Sequence, residues 1–130
     1  MAEGFQIVEI PAYSSRLYER RLSGVIVQSA SVKLGTWVPA PNNCHANVST
    51  WCENMPEYTA VRGWLYFDFL DHLPHVLFNA HSVVRDPDGK LWDITPSQSS
   101  QSYPFLVAEE QEAEYAKLIE SGVSRLRHHK

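Results

Sequence analysis

The stretch that decides the fold is Asn79-Ala80-His81-Ser82-Val83-Val84-Arg85-Asp86-Pro87-Asp88-Gly89-Lys90-Leu91-Trp92-Asp93-Ile94-Thr95-Pro96. Two runs rich in β-branched and aromatic residues flank a turn of Asp, Pro, Asp and Gly, the composition of a tight hairpin. A three-residue loop at Pro87-Asp88-Gly89, with Gly89 as the bulge residue, pairs Asp86 with Lys90. Continuing that register pairs Val83 with Asp93 and His81 with Thr95, so His81 and Asp93 share a face as diagonal neighbours. Diagonal positions lie about 7–8 Å apart at the backbone, a gap that a His and an Asp can span with a hydrogen bond. A slip of one residue would separate them onto opposite faces.

Upstream, Pro39, Pro41, Asn42 and Asn43 form a breaker cluster, and the next segment reads as a helix. Asn42 or Asn43 can cap it. Val48, Trp51, Cys52 and Met55 follow the i, i+3, i+4, i+7 spacing of one apolar face, and Pro56 ends the run. Cys44 stands four residues before Val48, on the same stripe at its N-terminal end. A helix N-terminus favours a thiolate and offers free N–H groups to a developing oxyanion. A helix docked on the hairpin through its stripe turns Cys44 toward His81. A thiol, an imidazole and a carboxylate are the parts of a cysteine nucleophile, its base and the group that orients the base. Taken singly, each has a plainer reading: a cysteine on an apolar stripe fills core, a strand histidine is satisfied locally, and Asp93 bonds the nearby turn.

The rest of the chain reads as α+β, an antiparallel sheet with packed helices, in a single domain over residues 1–130. Strands are expected at 5–10, within 24–38, at 60–70, 75–85, 90–95 and 105–107. A weak helix is expected at 14–22 and a charged one at 109–127. The turn 71–74 and the polar loop 97–102 join these elements. The cluster Arg16, Arg20, Arg21 and the tail Arg125, Arg127, His128, His129, Lys130 read as solvated surface.

Length and composition set limits. The 130 residues, 44% of them hydrophobic, suffice for a core without metal or disulfide. A net charge of −4 gives no basic face for nucleic acid. No run approaches the roughly 20 apolar residues of a membrane span. Met1–Phe5 lacks the basic region and apolar run of a secretory signal. Cys44 and Cys52 fall about 12 Å apart along one helix, too far to bridge, and two free thiols fit a reducing, cytoplasmic compartment.

The order Cys at a helix start, His on one strand and Asp on the next resembles the papain-like thiol fold, most closely its transglutaminase-like branch. The matching residues are Cys44, His81 and Trp92-Asp93-Ile94-Thr95-Pro96. The chain is also similar to a group of uncharacterised bacterial proteins with a Cys-x-x-Asn-Val motif, a Gly-Trp strand and a His-to-Asp-Ile-Thr-Pro hairpin, here Cys44–Val48, Gly63-Trp64 and His81–Pro96. The likeness covers about residues 41–96. It departs from the transglutaminase-like pattern in having His45 beside the Cys, Val83 two residues after the His and a short His-to-Asp interval. It implies a cysteine hydrolase or acyl transferase acting on a peptide or a small amide or ester, without cofactor, in which Cys44 attacks, His81 moves the proton and Asp93 orients His81. Asn42, Asn43 and Asn47 are candidates for the oxyanion donor, and Trp64, with Trp37 and Tyr66, for the cleft wall. Two rivals stand beside this reading. One is a non-catalytic binding or accessory domain on the same fold. The other is a metal site drawn from Cys44, His45, Cys52, His81 and Asp93, against which stand the ligand spacing and the different directions expected of adjacent Cys44 and His45 side chains on a helix.

Overall fold

The computed structural model describes residues 7–68, 73–97, 103–108 and 112–130. The expectations for residues 5–6, the end of the strand at 69–70, the first half of the turn 71–74, the loop at 98–102 and the helix start at 109–111 lie outside the described residues. The elements run β1 (Ile7–Val8), α1 (Pro11–Glu19), a 3-10 turn (Arg21–Ser23), β2 (Gln28–Ser29), α2 (Cys44–Asn54), β3 (Thr59–Phe67), β4 (His75–Arg85), β5 (Leu91–Asp93), β6 (Phe105–Val107), α3 (Glu112–Glu120) and β7 (Arg125–His129). The class is α+β. The sheet is mixed rather than purely antiparallel, because β1 pairs with β7 and β2 with β5 in parallel. No helix among the described residues is long and apolar enough to cross a membrane.

The chain forms two compact units, one from residues 1–25, 63–80 and 103–130, the other from 26–62 and 81–102. Strands β3 and β4 each contribute to both, so no composition shift marks a boundary. In the first unit the strand order is β1-β7-β4-β3-β6. Pro11 starts α1, where its missing N–H costs nothing. Tyr13 and Leu17 of α1 pack with Trp64, Tyr66, Val76, Phe78, Leu106, Tyr115 and Leu126. Gly63 is required by β6: a Cβ there would lie 2.1 Å from the Leu106 carbonyl oxygen. Trp64 is fully buried, and its Nε1 donates to the Tyr13 hydroxyl at 3.0 Å. Trp64 and Tyr66 are therefore core of this unit and not cleft wall.

The C-terminal segment departs from expectation. The helix ends at Glu120, and Gly122 adopts φ 92, a left-handed turn that suits glycine. Residues 125–129 then form a strand paired with β4 on one side and β1 on the other. The sequence Arg125-Leu126-Arg127-His128 has the period of a strand, and Leu126 is fully buried. The basic tail is thus part of the sheet, with Arg127 donating to Glu9 at 2.8 Å and His128 bonded to Ser14 at 2.8 Å.

The second unit carries the hairpin and α2. Lys90 O accepts from Asp86 N at 2.8 Å, Gly89 takes φ 89, and Val84 pairs with Trp92 and Arg85 with Leu91, as the loop Pro87-Asp88-Gly89 requires. The Asp86 carboxylate locks the turn, accepting from the Asp88 and Lys90 amides at 2.9 Å and from Trp92 Nε1 at 2.9 Å. Val48 and Trp51 of α2 pack on Val84 and Ile94, with Cys52, Met55, Tyr58 and Trp92 around them. The stripe expected of α2 is its buried face.

Candidate active site

Every residue of the site belongs to the second unit. Asn42 turns the chain into α2 with φ 60, a left-handed conformation that asparagine tolerates better than branched residues. Asn43 occupies the cap position without a side-chain cap bond, although its carbonyl accepts from Asn47 N at 2.9 Å. Cys44 is the first helical residue, where backbone N–H groups have no partner within the helix.

Asn47 is 3% exposed. Its amide oxygen accepts from Ala40 N at 3.0 Å, and its Nδ2 donates to Ala40 O at 2.8 Å and to Thr95 Oγ1 at 3.0 Å. Both amide hydrogens are committed, so Asn47 is a clamp and not an oxyanion donor. The clamp explains two motifs at once. Asn47 binds Thr95; Thr95 N donates to Asp93 Oδ1 at 3.1 Å; Asp93 Oδ2 accepts from His81 Nε2 at 2.7 Å. Asp93 is further fixed because its backbone pairs with Ser29 and its carbonyl accepts from Ala30 N at 3.0 Å.

An ionised carboxylate only accepts, so His81 Nε2 carries a hydrogen toward Asp93 and Nδ1 is left for the Cys44 sulfur, with which His81 is in hydrogen-bonding contact. The side chains of His81 and Asp93 are 14% and 22% exposed, so the pair is shielded from water. Burial pushes the Cys44 thiol up, but hydrogen bonds from His45 and His81 outweigh it and bring it down to about 6. Burial pushes His81 down, but Asp93 and Cys44 together raise it to about 9. Between those values the proton sits on the imidazole and the sulfur is a thiolate; the two groups titrate as a pair. Cys52 differs: burial raises its thiol. Both cysteines are free.

Hence Cys44, His81 and Asp93 meet, as the hairpin register and helix stripe require. Asn42 and Asn43 are exposed at the entry to the helix, while Asn47 and Trp64 serve other purposes. Three participants join the triad, of which only His45 figured in the sequence reading, as a rival metal ligand. His45 is in hydrogen-bonding contact with Cys44 rather than pointing away from it, with its ring held from the other side by Ser82. Ser82 is fully buried and bonded to His45 Nδ1. Arg62 of β3 donates to Ser82 Oγ at 2.8 Å and to Ser49 Oγ at 3.1 Å. The available signals were an imidazole directly after the cysteine, a hydroxyl within the apolar run of β4 and a cation inside the apolar run of β3. Among the described residues, no group of three or more His, Cys, Asp and Glu side chains is arranged to hold a metal ion. Two turns along α2, a cavity of about 220 Å³ is lined by Trp51, Tyr58, Val84, Trp92 and Ile94, among others. Comparison with protein families, curated proteins and solved structures finds no match.

Proposed function

We propose that this protein is a cysteine hydrolase or acyl transferase acting on an amide or ester carbonyl, built on a papain-like core of the transglutaminase-like kind. The observation that carries the reading is the single His81 ring that bonds Asp93 through Nε2 and is also in hydrogen-bonding contact with Cys44. The Cys44 thiolate attacks the carbonyl carbon. The charge passes to the carbonyl oxygen, where the free N–H groups at the start of α2 favour it. The protonated His81 then gives its proton to the leaving amine or alcohol as the C–N or C–O bond breaks, leaving a thioester on Cys44. Water, or an acceptor amine or alcohol, attacks the thioester, with its proton going back to His81. Asp93 holds the ring orientation and steadies the imidazolium throughout.

The reading places the protein in a reducing, cytoplasmic compartment, where a free low-pKa thiol persists, and gives it a peptide or small amide or ester substrate without nucleic acid, membrane or cofactor. A p-nitrophenyl ester tests it. We expect a burst of nitrophenol with an acyl adduct on Cys44 by intact mass, and loss of both in Cys44→Ala with an unchanged circular dichroism spectrum. A wild-type protein that releases no burst and titrates Cys44 as an ordinary thiol would return the chain to the class of non-catalytic accessory domains.

A further inference from the structure

Cys44 is flanked by two imidazoles, and the proposed reaction uses only one. Behind His81 stands the carboxylate of Asp93 on β5. Behind His45 stands the hydroxyl of Ser82 on β4, held in turn by the guanidinium of Arg62 on β3. Arg62 reaches across three groups of the site: Ser82 Oγ at 2.8 Å and the His45 carbonyl at 3.4 Å through Nη1, and Ser49 Oγ at 3.1 Å through Nη2.

Donor and acceptor accounting fixes the His45 ring. A guanidinium has five N–H donors and no acceptor, so Ser82 Oγ accepts from Arg62 and cannot send its own hydrogen there. Ser82 is fully buried, and a buried hydroxyl hydrogen left without an acceptor is costly. His45 Nδ1 lies within hydrogen-bond distance and can take it. Nδ1 is then an acceptor, which puts the ring hydrogen on Nε2, the nitrogen left for the Cys44 sulfur with which His45 is in contact. The two rings thus present opposite faces to one sulfur: His81 offers a lone pair on Nδ1 that can take the thiol proton, and His45 offers an N–H.

We propose that His45 is a positioning residue, an N–H donor to the Cys44 sulfur whose tautomer is set by Ser82 and Arg62, so that the thiol proton has one destination, His81. The inference rests on the nucleophile reading of Cys44 and deepens it. It also gives Arg62 a reason to stand in an otherwise apolar strand: without the guanidinium, the Ser82 hydroxyl could rotate its hydrogen away and accept from Nδ1–H, which would turn a lone pair of His45 toward the sulfur.

The test is the pH profile of Cys44 alkylation by iodoacetamide on the full chain, for wild type, His45→Phe, His45→Gln and Ser82→Ala. The groups around the sulfur that shape this profile are His45, His81, Asp93 and, behind Ser82, Arg62. Losing one hydrogen bond to a thiolate raises the inflection by about one unit; after allowing for the greater nucleophilicity of the more basic thiolate, alkylation at pH 5.5 falls about threefold in His45→Phe. His45→Gln, whose amide N–H can replace Nε2–H, should stay near wild type. Ser82→Ala, a small change at a buried site, should move the inflection in the same direction as His45→Phe. A low wild-type inflection left unmoved by both His45→Phe and Ser82→Ala overturns this inference while sparing the triad, and so does a His45→Gln profile shifted as far as that of His45→Phe. A wild-type inflection in the ordinary thiol range overturns the triad itself. Circular dichroism identifies any variant that fails to fold, and the remaining variants still decide the question.

Discussion

Replacing His81 with alanine removes the group that takes the Cys44 proton, and the consequence can be worked from the pair's own values. The folded thiol lies at about 6 against an ordinary 9.0. At pH 5.5 a thiol of the first kind is roughly one-quarter ionised and one of the second about 0.03% ionised, a ratio on the order of 750. The rarer thiolate is the stronger nucleophile: over three units, a Brønsted slope of about 0.45 returns a factor of roughly 20. Alkylation by iodoacetamide at pH 5.5 should therefore fall by at most about 35-fold in His81→Ala. It should fall by less than that ceiling because the His45 contact remains. At pH 9 the order should reverse, with the variant faster by up to about tenfold, because its thiol is then half ionised and the more nucleophilic. Cys52, whose thiol is raised by burial, is the internal reference and should stay silent at pH 5.5. The assay is the alkylation rate resolved by peptide mass. Equal rates for wild type and His81→Ala at pH 5.5, with both folded, would refute the ion-pair reasoning.

Two further outcomes follow from the same physics. His81, raised to about 9 from 6.5, contributes stability that is full below about 6.5 and lost as pH rises through about 9, whereas Cys44, lowered to about 6 from 9.0, contributes stability that is full above about 9 and lost as pH falls through about 6. The two slopes oppose each other, since the folded pair merely moves a proton from sulfur to nitrogen, so urea midpoints of the wild type should gain little pH dependence from the pair between pH 6.5 and 9. Cys44→Ala removes the opposing thiol contribution together with the part of the His81 shift that Cys44 supplies, so with Asp93 still raising His81 its midpoint should decline as pH rises above about 6.5, by less than the full shift to about 9 implies; a parallel pair of curves would count against this. The two buried tryptophans should also differ. Trp51 Nε1 is buried without a hydrogen-bond partner among the described residues, so Trp51→Phe removes an unsatisfied donor along with apolar area and should cost no more than about 1 kcal/mol. Trp64→Phe deprives the Tyr13 hydroxyl of its partner in a packed core and should cost about 2–3 kcal/mol, with chemical denaturation as the measure and the reverse order as the refutation.

Features that depend on local chemistry were legible in the chain. Turn residues at Asp86–Gly89 set the loop length, the loop length set the register, and the register brought His81 and Asp93 together. The spacing of Val48, Trp51, Cys52 and Met55 gave the buried face of α2, and the breaker before it put Cys44 at the helix start. Other features arise from contacts between residues far apart in the chain. Asn47 of α2 reaches Thr95, 48 positions away, and no local pattern announces that an asparagine will be clamped rather than left free to donate. Whether Trp64 walls a cleft or fills a core depends on which unit its part of β3 joins. The tail became a strand because a left-handed Gly122 stopped the helix and β4 and β1 supplied hydrogen-bond partners on both sides, which charge counting does not register. His45, Ser82 and Arg62 come from three separate elements, and only their assembly gives each a partner whose donors and acceptors match its own.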